Sequence, residues 1–364
     1  MFMSKKRWWV PWVFLSVPLA MYAIWVIWPI IQTFAFSFTE WDGMTSSTFI
    51  GFENYKNLFN DPIFWTALKN NFRWLILFVA IPIPVGLLVA MLFDVKLPGG
   101  KIFKTIMYLS MTLSFVVIAQ IWSWIYDPKN GALAVTLKAF GFANLDELIQ
   151  GAFDFLIFVI IPVIIAVIVV KIIDKSVRLT GKKALFAYIS LMALFIILAH
   201  VLKIFWDPQV ETSRFAKNGF PWLSDPNMVT YSLIMSAIWR QIPYVMVLYL
   251  AGLKGVPPAL VEASIVDGAN WWQRFYNVIL PMLKPATIVA ITISVIDSLR
   301  AFDIVYAMTR GGPFNTSSVL ANFMYIETFN NYRMGYGSSI AVIQFFITFG
   351  FIIVYLGNAL KKEG

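Results

Sequence analysis

Long apolar runs, interrupted by short segments rich in Pro, Gly and Asn, dominate the pattern of hydrophobic and polar residues along this chain. A helix of about 20 mostly apolar residues crosses the hydrocarbon core of a bilayer. We therefore predict an all-α, polytopic membrane protein with about eight transmembrane helices. Apolar residues that recur over 59–74 predict a further helix on the outer face, before the second span. The predicted spans cover residues 11–33, 73–93, 105–126, 152–170, 185–206, 228–252, 286–308 and 338–359.

The composition supports a membrane protein and excludes several other classes. Hydrophobic residues make up 60% of the 364 residues and charged residues only 13%, and the mean hydropathy is +0.75. A soluble domain carries about 45–50% apolar and about 25% charged residues, and a disordered chain has low hydrophobicity. The absence of cysteine excludes disulfides and thiolate sites. Because His200 is the only histidine, we expect neither a metal ion nor a cofactor.

The formal net charge of +9 is explained by orientation in the membrane. Cytoplasmic loops carry an excess of Lys and Arg, and the basic residues fall mainly on the inner side when the N-terminus is placed in the cytoplasm. The strongest basic cluster, residues 171–183, is the short loop between the fourth and fifth predicted spans. Both termini are therefore predicted to be cytoplasmic, and the basic charge requires no nucleic acid.

The loop between the sixth and seventh predicted spans, residues 255–285, has the pattern of two short helices joined by a tight turn. Pro257 suits a helix start, because a proline has no N–H to leave unpaired there. Gly268 suits the left-handed position that ends a helix. Asn270 can cap the second helix, with Gln273 at the reciprocal position of a capping box.

The second of these helices is predicted to stop at Pro281 and Pro285, before the next span. Its apolar residues Trp271, Phe275 and Val278 are spaced to share one face. An apolar face on a cytoplasmic loop has two possible destinations. It can lie in the membrane interface, or it can fill a groove on a partner protein.

This loop resembles the EAA cytoplasmic loop of permease subunits in binding-protein-dependent ABC importers. The resemblance rests on Glu262-Ala263-Ser264, Asp267-Gly268-Ala269, Phe275, Ile279-Leu280-Pro281 and Pro285. Residues 1–140 and 218–364 more broadly resemble the carbohydrate-uptake branch, specifically the maltose-type first permease. The elements that carry this wider resemblance are Phe52-Glu53-Asn54-Tyr55, Asp61-Pro62-Ile63-Phe64-Trp65, Leu250-Ala251-Gly252-Leu253, Phe302-Asp303 and Thr309-Arg310-Gly311-Gly312-Pro313.

The resemblance implies a permease of the bacterial or archaeal cytoplasmic membrane that is not itself an enzyme. In such importers two different permease subunits form the path, two ABC ATPase subunits bind at the cytoplasmic face, and an extracytoplasmic binding protein delivers a sugar, oligosaccharide or sugar derivative. This chain lacks the G-x-x-x-x-G-K-[ST] phosphate loop, so a partner must hydrolyse ATP. The residues implied in coupling to the ATPase are Glu262, Ala263, Ser264, Asp267, Gly268, Ala269, Phe275 and Pro281.

Polar residues inside the sixth and seventh predicted spans form a candidate substrate path, since such residues are costly in a membrane. In the resembled family, substrate contacts come from these two spans. The candidates are Tyr244, Arg240, Gln241, Asp297, Ser298, Arg300 and Asp303. Asp297, Arg300 and Asp303 are spaced three residues apart, so an internal ladder of ion pairs is a second interpretation.

Two predicted spans, 152–170 and 185–206, distinguish this chain from a typical six-span member of the resembled family. They divide it into residues 1–144 with the first three spans, an inserted hairpin 145–217, and residues 218–364 with the remaining spans and the coupling loop. Because two added spans cross the membrane and return, the segments that follow them stay on the same sides of the membrane. The inserted pair either packs toward lipid or forms a docking surface for another subunit.

The residues also permit two other transport functions. An ion-coupled secondary transporter would use Asp297 and Asp303 as proton sites. An ABC importer for a non-carbohydrate or anionic solute, such as a glycerol phosphate, would use Arg240 and Arg300. A membrane-embedded enzyme would need a nucleophile with its base or a set of metal ligands, and the sequence shows neither arrangement.

Overall fold

The computed structural model describes residues 10–94, 100–128, 130–139 and 221–360. In these ranges the chain is helical apart from loops and one short antiparallel pair of strands, β1 (Thr39–Glu40) and β2 (Thr48–Phe49). The prediction of a helical, polytopic chain is confirmed at this level. The predicted spans 152–170 and 185–206, and with them the inserted hairpin 145–217, lie outside the described residues.

Helices are numbered here in chain order. They are α1 (Val10–Tyr22), α2 (Trp28–Phe36), α3 (Glu53–Asn60), α4 (Pro62–Ala80), α5 (Pro82–Asp94), α6 (Gly100–Thr112), α7 (Phe115–Ile125), α8 (Ala132–Ala139), α9 (Val229–Lys254), α10 (Pro258–Val266), α11 (Trp271–Arg274), α12 (Leu280–Met282), α13 (Lys284–Leu299), α14 (Asp303–Met308), α15 (Leu320–Tyr325) and α16 (Met334–Leu360). Three π turns continue the helices on either side of them: Ala23–Ile27, Phe275–Ile279 and Ile326–Asn330.

Four continuous helical segments of the described chain are long and apolar enough to cross a membrane. They are Trp12–Phe36, Pro62–Asp94, Val229–Lys254 and Met334–Ile353. These segments match the predicted spans 11–33, 73–93, 228–252 and 338–359.

The second of these segments begins well before the predicted residue. Asp61 caps α4 by accepting a 2.8 Å hydrogen bond from the Ile63 N–H. From Pro62 onward the helix runs without a break to Ala80. The separate outer helix predicted over 59–74 is therefore wrong, because its apolar residues continue the helix that forms the span.

The third predicted span, 105–126, is not one straight helix. Its two halves, Ile102–Thr112 and Phe115–Ile125, meet at an angle of 109°. The hydroxyl oxygen of Ser114 accepts a 3.3 Å hydrogen bond from the Val117 N–H and so starts a new helix after the break. Hydropathy is continuous across this point, which is why the prediction missed the bend.

The seventh predicted span, 286–308, is also interrupted. Helix α13 ends at Leu299, and Arg300 leaves the helical conformation with φ −103° and ψ 19°. A new helix, α14, starts at Asp303, where an acidic residue is favoured by the helix dipole. At its inner end α13 follows the segment Trp271–Met282 at an angle of 65°.

The chain divides into two compact units, Met1–Ala119 with Thr230–Gly364, and Gln120–Val229. In the second unit, Tyr126 stacks on Trp222 with ring centroids 5.3 Å apart. In the first unit, one apolar core joins α5, α9 and α13 and contains Ala90, Val245, Met246, Tyr249, Leu250, Leu283 and Ala290. A second core joins α3, α4, α15 and α16 and contains Leu58, Phe64, Ala67, Leu320, Phe323, Tyr336 and Ile340.

Two buried asparagines of α4 hold the loop that precedes α15. The Asn70 side-chain N–H group donates to the carbonyls of Thr316 at 2.7 Å and Ser318 at 2.8 Å. The Asn71 side-chain oxygen accepts from the Leu320 N–H at 2.8 Å. The outer loop with the Gly-Gly-Pro element is thus fixed to a helix more than 200 residues earlier in the chain.

Residues 41–47 form the loop that connects β1 to β2. Its Asp42 carboxylate accepts hydrogen bonds from the N–H groups of Thr45 at 2.8 Å and Met44 at 2.9 Å, and from the Thr45 hydroxyl. These bonds favour the charged form, and they lower the pKa of Asp42 from 3.8 to about 2.

Candidate coupling loop and membrane cavity

The first helix of the coupling loop, α10, ends as the sequence predicts. Gly268 has φ +77°, a left-handed conformation that glycine adopts without strain. Its N–H donates to the Ile265 carbonyl at 3.0 Å, and the Ala269 N–H donates to the Ser264 carbonyl at 3.0 Å. These two bonds form a Schellman motif and satisfy carbonyls that the helix end would leave open. No atom lies within 4 Å of a Cβ built at Gly268, so the backbone conformation alone requires glycine there.

The second helix begins with the predicted capping box. The Gln273 N–H donates to the Asn270 side chain and the Asn270 N–H donates to the Gln273 side chain, both at 2.9 Å. The predicted end of this helix before the next span is confirmed. After the π turn Phe275–Ile279 the helix runs through Pro281 to Met282 and ends at Leu283, and Pro285 falls in the first turn of α13. A π turn takes up an extra residue, which makes room for a proline within the helix.

Aromatic residues of the second helix form two stacks. Trp271 stacks on the buried Phe275 at 5.6 Å between ring centroids, with an interplanar angle of 6°. Trp272 stacks on Tyr276 at 6.1 Å and 21°. Two members of the predicted face, Trp271 and Phe275, lie together in the first stack, and the third, Val278, is half-buried.

The residues predicted to contact the ATPase divide by exposure. Glu262, Ala263, Asp267, Gly268 and Pro281 are exposed, and Ala269 is half-buried. Ser264 and Phe275 are buried, and the Ser264 hydroxyl donates to the Val261 carbonyl at 2.6 Å, so these two shape the loop from inside.

The structure adds one residue that the sequence analysis missed. Val266, in the last turn of α10, is 87% exposed and lies directly before Asp267. An apolar side chain directly before a helix-ending Asp-Gly pair was the available signal. The exposed side chains of α10 and its C-terminal end include the apolar Leu260, Ile265 and Val266 and the acidic Glu262 and Asp267.

A cavity of about 180 Å³ lies at the C-terminal end of α13. It brings together three of the predicted path residues, Asp297, Arg300 and Asp303. Its other walls come from α4, α7 and the break after α13. They are Trp74, Phe78, Phe115, Ala301, Phe302 and Ile304. The aromatic walls lie far away in sequence, so no local pattern could have revealed them.

The predicted ladder of ion pairs is wrong. Among the described residues, no ion pair within 4.0 Å joins Asp297, Arg300 and Asp303. The reason is the end of α13 at Leu299, which removes the helical spacing that would place them side by side. Their charges instead face a common space.

Arg240 approaches the cavity without lining it. Its Nε donates to the Leu113 carbonyl at 3.2 Å, at the break between α6 and α7. Its guanidinium lies 4.4 Å from the centre of the Phe115 ring, which is a wall of the cavity. Arg240 and Arg300 both interact electrostatically with Asp297. Arg240 therefore stabilises the bend between α6 and α7 and adds positive potential at the Asp297 carboxylate.

The remaining path candidates lie elsewhere. The buried Gln241 donates to the Ser294 hydroxyl at 3.1 Å and joins α9 to α13. The buried Ser298 donates to the Val295 carbonyl at 2.7 Å within its own helix. Tyr244 is half-buried and is not one of the residues that line the cavity.

Comparison with known proteins gives consistent matches. The family model described as "Binding-protein-dependent transport system inner membrane component" matches residues 82–363. A probable ABC transporter permease of Pyrococcus horikoshii is 31% identical over 96% of this chain and 95% of its own length. The alpha-glucoside transport system permease AglF of Rhizobium meliloti is 28% identical over 97% of this chain and 83% of its own.

A solved structure shares the fold. It is a bacterial ABC transporter involved in the import of the acidic polysaccharide alginate, with a TM-score of 0.68 and 18% identity over 98% of this chain and 96% of that one. With the helical spans, the capped loop and the family match over most of the chain, the resemblance seen in the sequence is confirmed. The chain belongs to the inner-membrane, multi-pass permeases of binding-protein-dependent ABC importers, and it is a non-catalytic subunit.

Proposed function

We propose that this chain forms, with a second permease subunit, the translocation path for a sugar, oligosaccharide or sugar derivative. The cavity at the end of α13 is the observation that carries the proposal. Aromatic walls beside carboxylates and a guanidinium suit a ligand with apolar ring faces and many hydroxyl groups. Several relatives are named as permeases for solutes of this class, including an alpha-glucoside permease and a trehalose/maltose permease of Thermococcus litoralis.

A neutral sugar is favoured over an anionic solute. Inside the cavity the two carboxylates of Asp297 and Asp303 outnumber the single guanidinium of Arg300. The guanidinium of Arg240 is already engaged by the Leu113 carbonyl and the Phe115 ring. These contacts leave the charge of Arg240 in place, so the two carboxylates and the two guanidinium groups balance, and the site suits a sugar without net charge.

Coupling to ATP would pass along α13. One of the two ABC ATPase subunits would bind the exposed tip of α10, with Val266 entering a groove and with Glu262 and Asp267 at its rim. The helix Trp271–Met282 connects this tip to α13 at 65°, and α13 ends at the cavity. A displacement of the loop would thus shift one wall of the cavity, as rigid-body switching requires.

The proposed topology keeps eight spans, with residues 1–144 and 218–364 as the permease core and 145–217 as an inserted hairpin. An even number of inserted spans keeps the coupling loop on the cytoplasmic side, where the ATPase would be. A reporter fused after Lys175 should then be cytoplasmic, and an external reporter would contradict the eight-span arrangement.

The test of the function is ATP-driven uptake by the assembled transporter in proteoliposomes. The chain is purified with its second permease and ATPase partners, and the external binding protein is loaded with candidate sugars. We expect uptake only with ATP and only for ligands that the binding protein holds. Uptake by the permease pair alone, without ATP, would contradict the assignment.

A further inference from the structure

The second helix of the coupling loop carries an exposed aromatic pair that the coupling role leaves unexplained. Trp272 is 59% exposed and Tyr276 is 46% exposed, although they stack on each other. The neighbouring stack is different, because its Phe275 is buried inside the loop. The surface proposed for the ATPase is the tip of α10, around Val266. The exposed parts of Trp272 and Tyr276 thus form a surface separate from that tip.

The length of α13 fixes the depth of this pair. Helix α13 has 16 residues and is about 24 Å long, whereas the hydrocarbon core is about 30 Å thick. The helix alone cannot cross the core, so flanking residues must lie at membrane depth. At the inner end these residues include Ile279 and Leu283, which already pack into the core formed by α5, α9 and α13.

The bend then keeps the rest of the helix close to the membrane surface. Trp272 lies ten residues before Met282, about 15 Å along the helix axis. Because that axis is inclined at 65° to α13, the step corresponds to only about 6 Å of depth. The headgroup layer on each side of a bilayer is about 5–7 Å thick. Trp272 and Tyr276 are thus placed within it.

The chemistry of the pair fits this location. Trp and Tyr are enriched where the membrane meets water, since each combines an apolar ring with one polar group. Lys284, at the start of α13, is exposed, and Arg274 stands between the two aromatics in sequence. Basic side chains beside the aromatics add attraction to the anionic lipids of the cytoplasmic leaflet.

We propose that Trp272 and Tyr276 anchor the coupling loop in the headgroup layer of the cytoplasmic leaflet. The lipid surface, rather than the ATPase, is the partner of this face. The anchor would set the height at which α10 meets the ATPase. The inference rests on the cytoplasmic placement of the loop in the proposed function, and it is independent of the transported substrate.

The chain has no cysteine, so single nitroxide labels can be introduced without background. The complete transporter carries Trp272→Cys or Tyr276→Cys in nanodiscs of phosphatidylcholine and phosphatidylglycerol. Controls are Gln273→Cys, an exposed neighbour on the same helix, and Val266→Cys on the tip of α10. Collision with oxygen reports lipid, and collision with a water-soluble nickel chelate reports water. Tyr276→Cys keeps Trp272 in place, so the position of this face can still be measured if the Trp272→Cys transporter does not assemble.

We expect the ratio of oxygen to nickel accessibility at 272 and 276 to exceed that at 266 and 273 by about three-fold or more. Removing the ATPase subunits should change the label at 266 and leave 272 and 276 unchanged. Equal ratios at all four sites, or protection of 272 only while the ATPase is bound, would overturn the anchor. An impermeant thiol reagent tests the topology separately, since Val266→Cys should react only from the cytoplasmic side.

Discussion

The coupling loop and the membrane cavity lie at opposite ends of α13, and they are held together in different ways. In the loop, every bond that defines the turn joins residues no more than five apart, as in Gly268 with Ile265 and Ala269 with Ser264. Beside the cavity, the bond from Arg240 to Leu113 spans 127 residues, and the cavity walls come from residues 74 to 304. The loop is thus a local structure with a fixed surface, whereas the cavity depends on the assembly of several spans.

The largest expected effect comes from breaking the local turn. Gly268→Val forces a β-branched residue into a left-handed conformation, at a cost of about 1–2 kcal/mol, and changes the exit angle of α10. We expect ATP-driven uptake to fall to background while membrane insertion is retained. Uptake and ATPase co-purification are measured together.

Gly51→Val is the matched control for this prediction. Gly51 also has a positive φ, +60°, and no atom within 4 Å of a built Cβ, but it lies in the outer loop. Gly51→Val imposes a similar backbone strain away from the coupling surface, so ATP-driven uptake should persist. Equal loss in both variants would mean that strain itself, and not the turn at the coupling surface, is responsible.

A long-range bond should matter more for stability than for coupling. Asn70→Ala removes three hydrogen bonds: the two that it donates to the carbonyls of Thr316 and Ser318, and the one that its side-chain oxygen accepts from Arg73. We expect a loss of about 2–4 kcal/mol in stability, seen as a lower melting temperature of the purified complex. Asn57→Ala, at an exposed position of α3, should melt like the wild type. An unchanged melting temperature for Asn70→Ala would show that the outer loop is held by other contacts.

The cavity predicts a smaller, kinetic effect. Asp297→Asn removes a charge that faces the cavity, and we expect KM for sugar uptake to rise about ten-fold while ATP hydrolysis in detergent stays near the wild-type rate. Ser298→Ala, one residue away, changes a hydroxyl that is bonded within its own helix. It should leave KM unchanged. If Asp297→Asn and Ser298→Ala have the same KM, Asp297 does not contact the substrate.

The smallest expected effect is a pH dependence in the loop between β1 and β2. The pKa of Asp42 is lowered to about 2, so the stability that its hydrogen bonds supply is present above about pH 4 and is lost as the pH falls toward about 2. Asp42→Asn should show less destabilisation than the wild type when the pH is lowered from about 5 to about 3. The melting temperature at each pH is the measurement, and identical pH profiles would rule out this role.

The contrast between the two regions also explains what the sequence could predict. Gly268, Asn270 and Gln273 act through neighbours, so their spacing was sufficient to predict the turn and the cap. The bend between α6 and α7 was missed because apolar composition continues across it. The break after Leu299 was missed because the apolar residues on both sides of Arg300 predict a single span, 286–308, and this error led to the predicted ladder of ion pairs.

Non-local contacts set the limit of sequence reasoning at the cavity. Asp297, Arg300 and Asp303 were predicted as candidates, but Trp74, Phe78 and Phe115 reach the same space from other helices. Gln241 was also a candidate, although the structure uses it to join α9 to α13. A polar residue in a span can serve packing or substrate equally well, and only the contacts distinguish the two.

The closed hydrogen bonds of the Schellman turn and the capping box also bear on the entropy of association. Fixing one residue of backbone costs about 1–2 kcal/mol, and in this loop that ordering is complete before any partner arrives. Docking on α10 can then proceed with little further loss of chain entropy, as with any preorganised binding surface. The free energy of the contacts made by Val266 and its acidic neighbours would therefore contribute almost fully to the affinity for the partner.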